Sequence, residues 1–246
     1  FVQTWGRDYT ITLNHFRTAF NVEWGEFGMV WAGTAWNSFF TTLKLAAISA
    51  PLTATLGIAI AWLLARTEFR GQGAFEFAAL LAFAIPGTVL GVSYILAFNV
   101  PPFELTGTSL IIILCFMFRN LPVGVRGGIA ALSQLDKSLD EASTTLGANG
   151  ATTFKRVLMP LLKPAVIGAL IYGFVRSMTT VSAIVFLISA KWYHITIQIY
   201  NFSENIRFGL ASVLATALIF IVLAVFGLMR LVVKKSEHLE KTVTIQ

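Results

Sequence analysis

Charged residues are scarce in this chain of 246 residues: only 12% are Asp, Glu, Lys or Arg, whereas 56% are hydrophobic. A soluble domain averages about 25% charged residues, so this composition excludes an ordinary soluble protein. The 21 Phe and 6 Trp also exclude a disordered or low-complexity chain. The composition therefore predicts a protein that crosses a membrane several times.

Cysteine and histidine are too few for a disulfide framework or a metal site. Cys115 has no partner for an intrachain disulfide, and the three His, at positions 15, 194 and 238, lack metal-ligand spacing. The nucleotide-binding pattern Gly-x-x-x-x-Gly-Lys-Ser/Thr is also missing. We therefore expect no enzyme, cofactor or metal site in this chain. A membrane-embedded enzyme is further disfavoured because Ser, His and Asp do not converge in the apolar runs.

Five apolar runs are long enough to cross a bilayer as helices, which takes about 20 residues each. These predicted spans are 38–65, 77–98, 109–130, 164–187 and 208–231. Residues 1–33 contain no such run and are expected to form an external or interfacial segment. Residues 34–234 are expected to form the transmembrane core, and 235–246 a cytoplasmic tail.

Basic residues fall mainly in one set of the connections between these runs. That set holds Arg66, Arg70, Arg126, Lys137, Lys155, Arg156, Lys163, Arg230, Lys234, Lys235 and Lys241. The opposite set holds Arg7, Arg17, Lys191 and Arg207. Because Lys and Arg collect on the cytoplasmic side, we expect a bacterial inner-membrane protein with its N-terminus outside and its C-terminus in the cytoplasm. The net charge of +6 then reflects topology, and the partner it favours is membrane lipid rather than nucleic acid.

An external N-terminus that begins with Phe1, without a start Met or a signal peptide, is expected of a piece of a longer polypeptide. The external connection 189–207 carries Trp192, Tyr193 and Tyr200, and such amphipathic aromatics favour an interfacial position. Together with residues 1–33, it is expected to form a docking surface for an external protein.

The longest cytoplasmic connection, 131–163, predicts two short helices joined by a glycine turn. Ser138 and Glu141 fit a capping box, and Gly147 fits the left-handed residue that ends a helix. A second amphipathic helix is expected around 151–158, with Pro160 closing it.

The spacing in this connection resembles the signature of permease subunits in binding-protein-dependent ABC importers. Glu141-Ala142-Ser143 is followed after three residues by Gly147 and after nine more by Val157-Leu158-Met159-Pro160. Ser143, Val157 and Met159 depart conservatively from the family's pattern. The resemblance implies an all-α, five-span permease core whose coupling helix inserts into a groove of a separate ATPase subunit that holds ATP and Mg. It assigns coupling to Glu141, Ala142, Ser143, Gly147 and Pro160.

Four further segments are similar to the second half of ferric-iron ABC importer permeases, which resemble tandem duplications. The segments are 5–16, 84–91, 118–126 and 174–180. The resemblance implies three partners: an ATPase dimer, a second permease half, fused or separate, and a periplasmic substrate-binding protein. Permeases for thiamine, phosphonate or polyamine have a similar build and remain alternatives for the substrate. A secondary transporter or channel is a further alternative.

Besides Arg126 and Arg230, which lie near the cytoplasmic ends of their predicted spans, three basic side chains fall inside the predicted spans, where a central charge costs about 2.5–3.5 kcal/mol to insert. Lys44 is near a span end and is expected to snorkel, whereas Arg119 and Arg176 are expected near mid-depth. These two arginines either line a pathway or fasten the bundle. The pathway candidates are Arg119, Asn120, Tyr172, Arg176, Thr179, Thr180 and, at a helix break that favours a flexible gate, Pro86.

Backbone breaks and shared faces support this set. Tyr172, Arg176, Thr179 and Thr180 are spaced to share one helical face. Pro86 is expected to interrupt the second span, and Pro122 with the glycines at 124, 127 and 128 is expected to free backbone groups in the third. For those glycines close helix packing is the favoured explanation.

Carboxylates are missing from all five predicted spans: the chain runs from Glu76 to Glu104, then to Asp136, and from Glu141 to Glu204 without one. A ferric ion prefers anionic oxygen ligands, and proton-coupled carriers usually need an intramembrane carboxylate. We therefore expect no tight iron coordination here. Passage of a metal already complexed by anions, or of an anionic substrate, fits better.

Overall fold

The computed structural model describes residues 2–4, 8–26 and 28–243, and most of them are helical. The chain forms two compact units. Unit 1 comprises residues 1–47, 87–115 and 177–225, and unit 2 comprises 48–86, 116–176 and 226–246. The expected segment 1–33 and tail 235–246 therefore extend beyond the described residues at 1, 5–7, 27 and 244–246.

The elements alternate long apolar helices with short pieces. In chain order they are β1 (Val2–Thr4), β2 (Asp8–Ile11), α1 (Asn14–Ala19), β3 (Glu23–Gly25), β4 (Gly28–Val30), α2 (Trp36–Arg66), α3 (Gln72–Leu81), α4 (Gly87–Phe98), α5 (Ser109–Ser133), α6 (Ser138–Thr145), α7 (Gly150–Thr153), a π-helical turn (Phe154–Leu158), α8 (Met159–Leu161), α9 (Lys163–Thr179), a 3₁₀ turn (Ile184–Phe186), α10 (Ile195–Glu204) and α11 (Phe208–Val243).

Three of the five predicted spans are single helices of sufficient length in the described part of the chain. They are α2, α5 and the Phe208–Leu228 part of α11. Continuous apolar sequence over more than about 20 residues allows a helix to satisfy its backbone within hydrocarbon. α11 continues as a helix through 235–243, which the sequence predicts only as a tail.

The second predicted span, 77–98, is divided. α3 ends at Leu81, α4 begins at Gly87, and residues 82–86 form turns between them. Proline lacks an N–H and disfavours helical conformation in the residue before it. The predicted interruption at Pro86 is confirmed, and each resulting helix is shorter than a full span.

The fourth predicted span, 164–187, also differs, because α9 contains 17 residues and ends at Thr179. The carbonyl of Ser177 accepts a hydrogen bond from His194 Nε2 at 3.1 Å, and the carbonyl of Thr180 accepts one from Thr196 Oγ1 at 3.0 Å. Side chains at the beginning of α10 therefore replace the helical partners that these carbonyls would otherwise need.

Unit 1 contains two antiparallel hairpins, β1–β2 and β3–β4, which the all-α prediction does not include. Residues after the first hairpin pack on the helices of the unit. Trp36 Nε1 donates to the carbonyl of Asn21 at 3.0 Å. The core of this region contains Ala19, Ala35, Ile195, Val213 and Leu214, with Phe16, Phe20 and Phe39 packed against it.

Unit 2 is held by close contact between α2 and α5. A Cβ added to Gly57 would lie 3.0 Å from the Cα of Gly124, and one added to Gly128 would lie 2.5 Å from the Cβ of Ala61. Close packing is therefore the role of Gly124 and Gly128, as favoured from the sequence, whereas a Cβ added to Gly127 would meet nothing within 4 Å. The predicted break at Pro122 is wrong: α5 runs continuously from Ser109 to Ser133, and Pro122 is buried inside it.

Candidate functional site

The predicted coupling segment forms a helical hairpin in unit 2, which we call the coupling hairpin and define as residues 136–161. Its first helix, α6, begins at Ser138 after a turn in which Asp136 Oδ1 accepts the Ser138 backbone N–H at 2.9 Å. This hydrogen bond is the main cause that lowers the pKa of Asp136 below its usual value. The predicted capping box of Ser138 and Glu141 is wrong, because Ser138 is already the first helical residue.

The turn of the coupling hairpin has the predicted conformation. Gly147 has φ +83°, and its N–H donates to the carbonyl of Thr144 at 2.9 Å. The second helix then begins at Gly150, where Asn149 Oδ1 accepts the Thr152 N–H at 2.9 Å and caps the helix. Glycine is favoured at 147 because an L-residue is strained at this φ.

Ser143 faces the inside of the coupling hairpin. Its hydroxyl is 2.9 Å from Thr153 Oγ1, and the exposed fractions of the two residues are 8% and 4%. The pair fastens α6 to α7, which explains why a serine is suitable where the family signature has alanine. Glu141, Ala142 and Gly147 are exposed and available to a partner.

The second helix continues further than predicted. The helical segment runs from Gly150 through the π turn to Leu161 and then bends by 78° into α9. Pro160 is exposed and is the residue before the last one of this helical segment. The helix therefore ends one residue after Pro160, close to the end that the sequence predicts.

Two exposed leucines on the coupling hairpin were not singled out from the sequence. Leu146, before the glycine turn, is 88% exposed, and Leu139 in the first turn of α6 is 36% exposed. The sequence feature that indicates these two exposed leucines is an apolar side chain between polar ones in a short polar helix. Beside Glu141 and Ala142, they add apolar area to the exposed side of the hairpin.

A groove of about 1000 Å³ lies beside the coupling hairpin, within unit 2. It is lined by the end of α2, the connection 67–72 and parts of α6 and α7, and its charged residues are Arg66, Glu68, Arg70, Lys137, Asp140 and Glu141. No local sequence pattern indicates this groove, because residues from three separate stretches form its walls.

The pathway candidates divide between the two units. Unit 2 contains Pro86, Arg119, Asn120, Tyr172 and Arg176, and unit 1 contains Thr179 and Thr180. Asn120 and Thr180 are buried, Arg119 and Tyr172 are partly buried, and Pro86, Arg176 and Thr179 are exposed in this chain.

Two arginines differ in their surroundings. Arg119 Nη1 is buried and has no hydrogen-bond partner among the described residues. Arg176 lies in the last turn of α9, where a cation is favoured by the helix dipole. The predicted polar face is also shorter than expected: α9 ends at Thr179, so Thr180 does not belong to it.

The predicted docking segments of unit 1 contain two polar recesses. One, of about 370 Å³, is lined by Tyr193, Gln198, Asn201, Phe202, Asn205 and Arg207. The other, of about 440 Å³, is lined by Asn14, Arg17, Thr18, Asn21, Ala32 and Thr34. Tyr200 is exposed, and Lys191 Nζ lies 5.7 Å from the ring centroid of Trp192. Among the described residues, no group of three or more His, Cys, Asp or Glu is placed to hold a metal ion.

A known protein family matches most of this chain. The model of the family described as "Binding-protein-dependent transport system inner membrane component" matches residues 54–238. The chain belongs to this family. The match covers the second part of α2, all elements from α3 to α10 with the coupling hairpin, and most of α11, so the resemblance inferred from the signature is confirmed.

Two relatives that match most of this chain are named as ferric transport system permease proteins. Over 225 residues the chain is 46% identical to the ferric transport system permease protein FbpB of Actinobacillus pleuropneumoniae, covering 92% of this chain and 32% of that protein. It is 48% identical over 190 residues to a putative FbpB 1 of Haemophilus influenzae, covering 77% of this chain and 29% of that protein. The chain thus spans about a third of the length of these relatives.

More distant relatives share the architecture. A sulfate transport system permease protein, CysT, of Salmonella typhimurium is 27% identical over 195 residues, covering 74% of this chain and 70% of that protein. A solved bacterial ABC transporter that imports alginate superposes with a TM-score of 0.70 at 17% identity, covering 90% of this chain and 84% of that one. The methionine ABC transporter MetNI superposes with a TM-score of 0.62 at 19% sequence identity, covering 81% of this chain and 94% of that one. The helical permease fold is therefore shared with ABC importers.

Proposed function

We propose that this chain is one permease half of an ATP-driven importer of ferric iron. The observation that carries the proposal is the 46% identity over 92% of the chain to a ferric transport permease. The proposed assembly contains a second permease half, an ATPase dimer that holds ATP and Mg, and a periplasmic binding protein. Transport in this assembly proceeds by alternating access.

The proposed orientation follows the distribution of basic residues. It places the N-terminus and the connection 189–207 outside and the coupling hairpin in the cytoplasm, with the C-terminus on the same side as the hairpin. The two polar recesses of unit 1 then face the binding protein, and the hairpin faces the ATPase.

The coupling hairpin is proposed to transmit the motion of the ATPase. Glu141 offers an exposed carboxylate to a basic partner, and Leu146 offers apolar area. The left-handed turn at Gly147 and the Ser143–Thr153 contact hold the two helices of the hairpin together. A stiff hairpin moves as one body, so displacement at its exposed side reaches the membrane helices.

The proposed transported species is iron that already carries anionic ligands. The predicted spans contain arginines and no carboxylates, and a bare ferric ion would be repelled by a guanidinium. Arg119 supports this proposal because its Nη1 is buried without a hydrogen-bond partner among the described residues. An anionic group on the passing complex would satisfy that donor.

An importer of an oxyanion is the second candidate function. The relatives named as sulfate permeases favour it, because CysT of Salmonella typhimurium aligns over 74% of this chain. Arg119 and Arg176 would suit an oxyanion without a metal as well. The lower identity, 27%, makes it the weaker candidate.

Reconstitution tests the two candidates together. The complete transporter is placed in vesicles with its ATPase and its binding protein, and ATP-dependent uptake of labelled ferric iron and of labelled sulfate is measured in parallel. Uptake of iron alone supports the proposal. Uptake of sulfate without iron contradicts it in favour of the second candidate, and failure of an ATPase to copurify contradicts the transporter class.

A further inference from the structure

Arg66, the last residue of α2, makes contacts with two other elements of unit 2. Its Nη2 donates to the carbonyls of Leu132 at 3.3 Å and Leu135 at 2.9 Å, at and just beyond the end of α5. Its Nε lies 3.1 Å from Asp140 Oδ2 in α6. One guanidinium therefore joins the ends of two long helices to the first helix of the coupling hairpin.

The chemistry of arginine suits this position. The last carbonyls of a helix have no partner within the helix and carry partial negative charge. A planar guanidinium has five N–H donors in a fixed fork, so it can serve two carbonyls and a carboxylate together. The side chain of Arg66 is only 9% exposed, which protects the contacts from solvent.

The ion pair between Arg66 and Asp140 is mutual. Arg66 Nε and Asp140 Oδ2 are both buried and lie 3.1 Å apart as an ion pair, and neither atom has a hydrogen-bond partner among the described residues. A buried charge that loses its partner is strongly disfavoured. Movement of α6 away from α2 would separate these two charges, and the free-energy cost of that separation opposes the movement.

Few other contacts attach α6 to the unit. All eight residues of α6 are described, and Ser143 is the one of them that is buried. Ser143 joins α6 to α7, whereas Asp140 joins it to α2. The other helix of the hairpin packs on α2 through apolar contacts, with the rings of Trp62 and Phe154 4.9 Å apart.

We propose that Arg66 is the positioning residue that transmits displacement of the coupling hairpin to the cytoplasmic ends of α2 and α5. The proposal rests on the proposed function as an ATP-driven permease. Arg66 acts through α6 rather than by touching the ATPase, because its side chain is almost fully covered.

A second arginine pair in the same unit provides a matched control. Arg126 Nη1 lies 3.9 Å from Glu76 Oε1, and the two side chains are 68% and 39% exposed. Solvent screens such a pair, and exposed pairs contribute little to stability. Arg126→Ala removes the same chemical group without breaking a buried connection.

The experiment compares Arg66→Ala, Arg66→Lys, Asp140→Ala, the double alanine variant and Arg126→Ala in the complete reconstituted transporter. Three quantities are measured: ATPase subunit copurified per permease, ATP hydrolysis stimulated by loaded binding protein, and substrate taken up per ATP hydrolysed. The third quantity reports transmission, because a merely structural defect lowers uptake and hydrolysis together.

For Arg66→Ala we expect the ATPase to remain attached and uptake per ATP to fall at least roughly fivefold, the lower end of ordinary coupling between sites. Arg66→Lys should recover part of the loss, since an ammonium keeps the charge but not the fork. The double alanine variant should be no worse than Arg66→Ala, because the two residues act through one contact. Arg126→Ala should match the unaltered transporter.

Three results would overturn the proposal: unchanged uptake per ATP in Arg66→Ala, an equal loss in Arg126→Ala, or a loss of bound ATPase that accounts for the whole defect. If Arg66→Ala does not accumulate in the membrane, Asp140→Asn, which keeps the side-chain volume, is measured against the same criteria. If the unaltered transporter itself shows no ATP-dependent uptake, the proposed function fails instead, so the two failures are distinguishable.

Discussion

The glycine turn of the coupling hairpin allows the sharpest test of the coupling role. Gly147 has φ +83°, and a Cβ added there would meet nothing within 4 Å. Substitution therefore creates no clash, and its whole cost is the backbone strain of an L-residue in the left-handed region. That strain is about 1–2 kcal/mol, a factor of about 5 to 30 in the population of the native turn.

We expect Gly147→Ala to reduce substrate uptake and binding-protein-stimulated ATP hydrolysis together, by up to that factor. Gly147→Val should reduce them further, because a β-branched side chain is more strongly disfavoured at positive φ. Gly147→Asn should retain most activity, since asparagine visits the left-handed region more readily. Uptake and hydrolysis in reconstituted vesicles, with ATPase copurification, are the measurements.

Gly127→Ala is the matched control for this series. Gly127 lies inside α5, a Cβ added there also meets nothing within 4 Å, and its φ is not in the left-handed region. Alanine in a helix interior is favoured by roughly 1 kcal/mol over glycine, so this variant should be at least as stable as the unaltered chain. Normal coupling in Gly147→Ala and Gly147→Val, with the ATPase fully bound, would refute the role of the turn.

Four further predictions concern other parts of the chain. Glu141→Lys reverses the charge offered to a basic partner and should reduce copurified ATPase, whereas Glu141→Gln should reduce it less; equal binding in both variants would count against a charge contact. Arg119→Ala should lower uptake while the ATPase stays attached, and Arg119→Lys should restore part of the uptake if a cation in the pathway is what matters. Gly128→Leu places a side chain where even an added Cβ would lie 2.5 Å from the Cβ of Ala61. Thermal unfolding should therefore show a loss of about 1–3 kcal/mol in the free energy of unfolding. An unchanged melting temperature would contradict the close helix contact. Burial lowers the pKa of His194 to about 3, below its ordinary value of about 6.5. As the pH falls, the imidazole of His194 therefore takes up a proton in the unfolded chain before it does so in the folded chain. The free energy of unfolding should be constant above about pH 6.5 and decline as the pH falls toward 3. His194→Gln should weaken that decline, measured in detergent-solubilised protein.

The features that were predictable from the sequence are those encoded in neighbouring residues. Three predicted spans, the break at Pro86 and the left-handed turn at Gly147 each depend on a continuous stretch of chain, through hydropathy or the backbone preferences of proline and glycine. The family could be inferred for the same reason, because its signature lies within the short segment 141–160.

Features that depend on partners distant in sequence required the tertiary structure. The resemblance to the family signature assigns coupling to Ser143, but its hydroxyl meets Thr153 on the opposite helix. Pro122 suggested a break, yet α5 stays continuous through it. The end of α9 at Thr179 depends on side chains of α10, and no local pattern indicates them.

By itself the sequence determined the membrane class, the main spans and the position of the coupling hairpin, because apolar length and turn residues act locally. Only the tertiary structure decided which polar side chains are covered and which are exposed. Arg66 is the clearest case: in the sequence it is one basic residue among several at a membrane boundary. In the fold it contacts the carbonyl of Leu135, 69 positions away, and the carboxylate of Asp140. Burial and ion pairing depend on such distant contacts, which arise when helices assemble.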